Sequence, residues 1–239
     1  MTVQTIRPLL TAPRLAGGCS VLALSDSFDV PRNTLRFAAH ENLFLQGDQP
    51  TGVFQVVSGT VILYKLMSDG RRQIQDFASN GDFLALTFSD VHDLSAEAIT
   101  DVEVEFVARS SFDRALQDNP TFRRRVFTLI GDLLRTARDQ ALLLGRKCAM
   151  ERTATFLLFL ESRFADHRTG FVEIRMRRSD MADYVGLTLE TVSRMMNRLK
   201  KLGIIELPQP NQFRISDRKR LIATAGEAEE TTYDSAAGW

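Results

Sequence analysis

A row of apolar residues with the spacing of a coiled coil constrains the fold of this 239-residue chain more than any other feature. The row follows Asn119-Pro120, a pair that fits the N-cap and the first position of a helix. Its members recur every three or four residues over successive heptads, which predicts a long helix over residues 119–145. They are Phe127, Ile130, Leu134, Ala137, Ala141 and Leu144.

A second apolar row runs beside the first on the same predicted helix. It consists of Phe122, Val126, Leu129 and Leu133. One row can pack on the preceding part of the chain, while the other meets the same helix of a second copy. Two apolar faces therefore favour a homodimer. The alternative is a single amphipathic helix buried within one protomer.

Residues 27–118 show short alternating segments with turn signals, which predicts strands. Residues 54–57 and 60–64 flank Ser58-Gly59 and suggest a hairpin, and residues 102–107 alternate as a late strand. Regularly spaced strands without intervening helices are typical of a β-sandwich or a barrel-like roll. Residues 1–26 lack periodicity and are interpreted as an N-terminal arm.

The pattern changes again after the long helix, and residues 146–222 read as a second domain. Residues 150–164 are predicted to be helical and residues 171–176 a strand. Residues 204–207 and 212–215 read as two strands around Pro208 and Pro210. A strand pair directly after a helix-turn-helix forms a wing. Residues 223–239 are acidic and poor in apolar side chains, which predicts a disordered tail.

The basic residues are concentrated in this second domain although the chain is neutral overall. Residues 146–220 hold 16 Lys/Arg and 9 Asp/Glu, a net charge of +7. Such a block suits a polyanion such as DNA. A solvated surface with chance asymmetry is the alternative.

Two further features bear on location. No run approaches the ~20 apolar residues that span a membrane. The N-terminus has two arginines and too short an apolar stretch for a secretory signal, so we expect a cytoplasmic protein.

Residues 178–197 have the organisation of a helix-turn-helix. Ser179 is the expected N-cap of the first helix, and Gly186 can take the left-handed conformation of a tight turn. Thr188 is the expected cap of the second helix. Ala182 occupies a point where the two helices approach closely. The residues expected to be buried are Met181, Val185, Leu187, Val192, Met195 and Leu199.

The second helix leaves a polar face for contacts to bases. Arg194 can form a bidentate pair with guanine and Glu190 can accept from the cytosine amine, and Leu189 and Ser193 share this face. The alternative for Glu190 and Arg194 is a surface ion pair at i, i+4. Contacts to phosphates are expected from polar side chains around the turn and at the helix end. They are Arg178, Ser179, Thr188, Thr191, Lys200 and Lys201.

The run Leu189-Glu-Thr-Val-Ser-Arg194, together with the preceding β-domain and long helix, resembles the CRP/FNR family of bacterial transcription regulators. The Glu-x-x-Ser-Arg pattern resembles its FixK branch. The resemblance implies an α+β fold with an N-terminal β-roll like that of cyclic-nucleotide-binding domains, a dimerisation helix and a C-terminal winged helix-turn-helix. It also implies that Glu190, Ser193 and Arg194 read TTGAT-type half-sites.

The same resemblance implies an activator that binds double-stranded DNA as a homodimer, at a TTGAT-N4-ATCAA-like palindrome. RNA polymerase would be its partner. The expected targets are genes for microaerobic respiration, denitrification or nitrogen fixation.

Departures from the family pattern concern the ligand. Leu86 and Leu94 stand where nucleotide-binding members carry a glutamate and an arginine for the cyclic nucleotide. A buried phosphate without an arginine would be unpaired, which argues against cyclic AMP. Two cysteines, Cys19 and Cys148, cannot provide the four ligands of an iron–sulfur cluster. We therefore expect no cofactor and no metal.

The remaining candidates are isolated residues. Cys148 closes the apolar row at the domain junction, where its oxidation could reorient the DNA-binding domain; the alternative is a small buried hydrophobe. Because no nucleophile–base arrangement is visible, an enzyme is not expected. Two further functions stay open: a haem, gas or small-molecule sensor with the same fold, in which His40, His92 or His167 could bind haem, and a cyclic-nucleotide module that does not bind DNA.

Overall fold

A computed structural model describes residues 31–166 and 168–226. The predicted arm, Cys19, His167 and tail residues 227–239 lie outside the described residues. The described N-terminal part, residues 31–108, consists of eight strands. They are β1 (Asn33–Phe37), β2 (Asn42–Phe44), β3 (Gly52–Ser58), β4 (Val61–Leu66), β5 (Arg72–Ala78), β6 (Phe83–Leu84), β7 (Ser95–Ala98) and β8 (Val102–Ala108).

These strands form two four-stranded antiparallel sheets, in the orders β1-β8-β3-β6 and β2-β7-β4-β5. Alternate residues of both sheets point inward, among them Val56, Val61, Ala96 and Val104, which are almost completely buried. Because each sheet buries one face against the other, the two close around a shared core. The predicted β-roll is confirmed.

The predicted hairpin around Ser58-Gly59 is wrong, although both of its strands exist. β3 pairs with β6 and β8, whereas β4 pairs with β5 and β7 in the other sheet. The connection is therefore a corner between sheets. Gly59 has φ +89°, and a Cβ there would lie 2.3 Å from the carbonyl oxygen of Asp101, so glycine is required by the close approach.

Two helices follow the roll, α1 (Arg109–Asp118) and α2 (Pro120–Arg146). Helix α1 is not among the elements expected from the sequence. Asn119 caps α2 as expected, because its Oδ1 accepts from the backbone N–H of Thr121 at 2.9 Å and of Phe122 at 3.1 Å. Helix α2 ends one residue beyond the predicted end.

The two apolar rows of α2 have different environments. Phe122, Val126 and Leu129 are buried, the first two with Phe112 of α1 and Val53 of β3. Leu133, the last member of this row, is 40% exposed. The row predicted to meet a second copy is open: Phe127 is 66% exposed and Leu134 50%. In that row Ala137 and Ala141 are also exposed, and Ile130 and Leu144 are half-buried. The alternative, an amphipathic helix whose apolar residues are all buried within one protomer, therefore does not fit α2.

In the described residues up to 226, the C-terminal part comprises four helices and a three-stranded antiparallel sheet of order β10-β11-β9. Its elements are α3 (Ala149–Phe164), β9 (Phe171–Glu173), α4 (Arg178–Val185), α5 (Leu189–Lys201), β10 (Ile205–Gln209), β11 (Gln212–Ile215) and α6 (Arg218–Thr224). β9 is shorter than predicted. Helix α6 was not predicted and crosses the expected boundary at residue 222, and Ala225 beyond it is fully buried.

One core joins the two parts of the protomer. Phe77 of β5 lies in the same buried cluster as Phe156 and Phe159 of α3 and Tyr184 of α4. The ring centroids of Phe77 and Tyr184 are 5.4 Å apart, a distance typical of packed aromatic pairs. The roll therefore packs directly on the helix pair.

Candidate nucleic-acid interface

Helices α4 and α5 form the predicted helix-turn-helix. Gly186 ends α4 in the left-handed conformation, at φ 63° and ψ 44°. Thr188 caps α5, and its Oγ1 accepts from the backbone N–H of Thr191 at 3.2 Å. Both local predictions are confirmed, because each residue satisfies a backbone requirement that the sequence makes visible.

The start of α4 differs from the prediction. Ser179 is not the N-cap but lies in the first turn, and Arg177 occupies the cap position. The Asp180 carboxylate accepts from the backbone N–H of Arg177 at 2.9 Å, which satisfies one of the free donors at the helix start. An acid three residues after the cap is the signal that could have located this start.

The interior of the helix pair differs from two predictions. Met181, Val185, Val192 and Leu199 are buried as expected, and so is Ala182 at the close approach of the two helices. Leu187 is only half-buried. Met196 is 2% exposed and takes the inner position expected for Met195, which is half-buried. Residues 192, 196 and 199 and residues 192, 195 and 199 both fit one helical face of the same width, so spacing alone does not distinguish Met195 from Met196.

The four predicted base-reading residues lie on the outer side of α5. Leu189, Glu190 and Arg194 are exposed and Ser193 is half-buried. At about 100° per residue, the four side chains span an arc of roughly 140°. They occupy the first two turns of the helix, where a recognition helix contacts base edges.

The charged groups of this face are a hydrogen-bond acceptor and a hydrogen-bond donor. A hydrogen bond from its own backbone N–H, another from Thr188 and the attraction of Arg194 lower the pKa of Glu190, so the carboxylate is an acceptor at neutral pH. Arg194 Nη2 donates to Thr191 Oγ1 at 3.2 Å. In the described part of the chain, Glu190 and Arg194 form no ion pair within 4 Å, unlike the alternative considered above.

Most of the predicted phosphate-contacting residues are accessible. Ser179, Thr188, Lys200 and Lys201 are exposed, and Thr191 is half-buried. Arg178 is placed differently from the prediction. Its Nη2 donates to the carbonyl oxygen of Pro210 at 2.7 Å, and its Nη1 contacts the sulfur atoms of Met181 and Met196.

Arg178 therefore links both helices to the wing instead of facing solvent. Burial among these groups lowers the pKa of its guanidinium. The long side chain reaches inward because the wing carbonyl supplies an acceptor for its charge.

An arginine that the sequence analysis did not single out joins this unit to the long helix. Arg152 donates to the carbonyl oxygens of Leu144 at 2.7 Å and Lys147 at 2.8 Å, at the end of α2. Its Nη1 reaches the carbonyl oxygens of Val185 at 3.2 Å and Gly186 at 3.3 Å in the helix-turn-helix turn. No sequence motif distinguishes such a residue, because its partners are backbone atoms.

Cys148 lies at the same junction, in the N-cap position of α3. Its backbone N–H donates to the Glu151 carboxylate at 2.6 Å. The side chain is exposed, so the interpretation as a small buried hydrophobe is wrong. The redox role stays a hypothesis.

A cavity of about 300 Å³ lies between the roll and α2. Its described lining includes Leu86 and Leu94, the two positions noted above, and contains no Lys or Arg. Burial lowers the pKa of His92 in this lining, so the imidazole is neutral at neutral pH. A cyclic phosphate would find no cation here, and the expectation that cyclic AMP does not bind stays a prediction.

Metal and membrane sites were sought as well. The described ranges contain no group of three or more His, Cys, Asp or Glu side chains arranged to hold a metal ion. None of the described helices is long and apolar enough to cross a membrane.

Comparison with known proteins agrees with this architecture. Residues 34–119 match the family described as cyclic nucleotide-binding domain, and residues 151–224 match the Crp-like helix-turn-helix domain. The nitrogen fixation regulation protein FixK of Bradyrhizobium diazoefficiens is 38% identical, with 82% of this chain and 84% of that protein covered. The transcriptional activatory protein AadR of Rhodopseudomonas palustris is 36% identical, with 87% and 88% covered.

Among solved structures, FixK2 from Bradyrhizobium japonicum superimposes with a TM-score of 0.79 at 40% identity. The match covers 83% of this chain and 98% of that one. The chain is thus similar to these proteins in sequence and fold over both of its parts.

Proposed function

Because the chain belongs to the CRP/FNR family of transcription regulators and is similar to its FixK proteins, we propose that it activates transcription as a homodimer bound to a TTGAT-N4-ATCAA-like palindrome. The observation that carries this proposal is the exposed face of α5 with Glu190, Ser193 and Arg194. In the proposed complex Arg194 donates to guanine O6 and N7, and Glu190 accepts from the cytosine amine.

The homodimer is supported by the open apolar row of α2. Large side chains such as Phe127 and Leu134 would be removed from water by a second copy of the helix. A two-fold dimer presents two recognition helices to half-sites about 34 Å apart.

Contacts to DNA phosphates would add affinity that does not depend on the base sequence. The residues proposed for these contacts are Ser179, Thr188, Thr191, Lys200 and Lys201. Arg178 has another role in this proposal. It holds the wing, which is the pair of strands β10 and β11, against α4 and α5. It thereby keeps in position the outer face of α5 with Glu190, Ser193 and Arg194, here called the reading face.

The proposed targets are genes for microaerobic respiration, denitrification or nitrogen fixation, with RNA polymerase as the partner in activation. Support comes from the names of the similar proteins, several of which are nitrogen fixation regulators or transcriptional activators.

The base-reading role of Arg194 is tested by combining Arg194→Ala with replacement of the half-site guanine. We expect each single change to weaken binding by about 1–3 kcal/mol, and the double change to add little, because both remove the same pair. Fluorescence anisotropy of labelled duplexes provides the four affinities.

Lys200→Ala is the matched control, since a phosphate contact lowers affinity for all sequences and reduces the salt dependence. Equal guanine discrimination in wild type and Arg194→Ala would contradict the proposed contact.

A second candidate function is an effector-gated regulator of the same fold, and the cavity of about 300 Å³ favours it. That volume lies at the lower end for small-molecule sites. If this candidate holds, the purified protein binds the palindrome only after an effector is added. A haem Soret band that is lost in His92→Ala would identify the haem form.

A further inference from the structure

Arg72 of β5 connects the roll to the first helix of the helix-turn-helix. Its Nε donates to Asp183 Oδ2 at 3.0 Å, and its Nη2 donates to the Asp180 carboxylate. Both acids belong to α4. A third acid, Glu97 of β7, accepts from Nη1 at 3.4 Å. One guanidinium thus bonds to carboxylates of both structural units.

Neighbouring groups complete the connection. Gln73 Nε2 donates to the carbonyl oxygen of Asp183 at 2.7 Å, at the end of α4 where carbonyls lack helical partners. Arg177 donates to His40 Nε2 at 2.9 Å, and His40 Nδ1 lies 3.3 Å from Glu97. Two consecutive β5 residues and one loop histidine therefore contact α4 along its length.

These contacts define the orientation of α4 relative to the roll more narrowly than the aromatic core does. The hydrophobic effect around Phe77 is non-directional, and on its own it defines the angle between the packed units less narrowly than directed bonds do. Charge-assisted hydrogen bonds require defined donor and acceptor directions, and the Arg72 fork is half-buried and only weakly screened by salt. Desolvation offsets much of the attraction of such a pair, so its main contribution is to geometry.

The covalent link does not by itself fix this orientation, and Arg152 restrains it only from the α2 side. Helices α2 and α3 are joined through Lys147 and Cys148 in extended conformation. Rotation there would swing α4 and α5 relative to the apolar row of α2. The distance between the two recognition helices of a dimer depends on that angle.

We propose that Arg72 is a positioning residue that sets the half-site spacing this protein accepts on DNA. It does so from the roll, without contacting DNA, by holding α4 and therefore α5 at one angle to the dimer axis. The inference rests on the proposed binding of a palindrome by a homodimer.

The test measures affinity for duplexes with spacers of three, four, five and six base pairs, and for a single half-site. We expect the wild type to prefer the four-base-pair spacer. In Arg72→Gln that affinity falls about tenfold, as expected for loss of charged hydrogen bonds, while the other spacers change less. Binding to the single half-site is unchanged, because the reading face is intact.

Arg71→Gln is the matched control, because Arg71 is the adjacent residue and pairs with Asp69 within its own turn. It should keep the wild-type spacing profile. Asp183→Asn perturbs the same contact from the other side, and it replaces Arg72→Gln in the comparison if that variant does not fold. The double variant should match Arg72→Gln, because Asp183 has no contact with the residue 72 guanidinium left to lose once that guanidinium is removed.

If Arg72→Gln and Asp183→Asn both keep the wild-type preference for one spacer, Arg72 does not set the half-site spacing. That result would overturn this inference and leave the proposed palindrome standing. A wild type without any spacing preference would contradict the proposed palindrome, and this inference with it.

Discussion

Among single residues, Gly186 shows how strongly the backbone constrains the turn of the helix-turn-helix. Gly186 adopts a left-handed conformation, and a Cβ there would lie 3.0 Å from Leu144 Cδ2 and 3.3 Å from Arg152 Nη1. The turn thus rests directly on the end of α2. Any side chain at this position meets two restraints together, one on φ and one on space.

Gly186→Ala should lower the free energy of unfolding by about 2–3 kcal/mol, of which about 1–2 kcal/mol comes from the left-handed conformation. Gly203→Ala is the control, because Gly203 has a similar φ of +69° and a Cβ there would meet no atom within 4 Å. Urea unfolding compares the two. Equal losses would show that the contact with α2 contributes nothing.

A buried histidine makes stability dependent on pH. Burial lowers the pKa of His92 below its ordinary value of 6.5, against weaker opposing attractions from Asp48 and Asp93. Between the native pKa and 6.5 the unfolded chain binds more protons, so stability decreases as the pH falls through this window.

His92→Phe should keep the stacking on Phe44, whose ring centroid is 4.1 Å away, and remove this proton uptake. Its free energy of unfolding should therefore fall less than that of the wild type between pH 7 and about pH 5. Identical pH slopes measured by urea unfolding would contradict the role of His92.

Among the helices and strands, α2 follows most directly from the sequence. Its cap, its start and its two apolar rows follow from local periodicity, which needs no tertiary information. The open apolar row of α2, which includes Leu134, predicts that two protomers associate through this helix.

Leu134→Asp should convert a dimer to monomers. Leu134 is half exposed in the protomer, so the protomer fold is little affected, while each subunit loses roughly 2 kcal/mol of apolar burial at the interface. The dimer dissociation constant should rise by about two to three orders of magnitude, as measured by analytical ultracentrifugation.

Leu142→Asp is a close control, since Leu142 is equally exposed on the same helix but lies outside the predicted row. If both variants dissociate alike, the interface is not the predicted row. If neither dissociates, α2 does not mediate association.

Elements whose form depends on distant partners were predicted less well. Strands β3 and β4 have the pattern of a hairpin, yet the close approach of Gly59 to Asp101 places them in different sheets. Periodicity identifies strands but carries no information on which strands pair. Local pattern does not single out Arg72 either, because its partners in α4 lie far away in sequence. Arg152 is equally inconspicuous, because its partners are backbone carbonyls.

The helix-turn-helix was largely predictable, since Ala182, Gly186 and Thr188 report local requirements. The orientation of Arg178 was not predictable, because it depends on a wing carbonyl 32 residues away. Surface charge in a sequence does not distinguish a cation that faces DNA from one that holds the domain together.

At the scale of the whole molecule, the roll, the long helix and the DNA-reading unit are held together by a common core around Phe77 and by Arg72 and Arg152. This arrangement places the reading face of α5 outward. The described lining of the cavity between the roll and α2 offers no Lys or Arg to a phosphate, so we expect the protein to bind its site in the absence of an effector.

The most direct measurement is a titration of ligand-free protein against a TTGAT-N4-ATCAA duplex, with a scrambled duplex of equal composition as the control. We predict nanomolar binding of two protomers per palindrome, and binding to the scrambled duplex at least about a thousandfold weaker. Equal affinity for both duplexes, or specific binding only after an effector is added, would contradict the account.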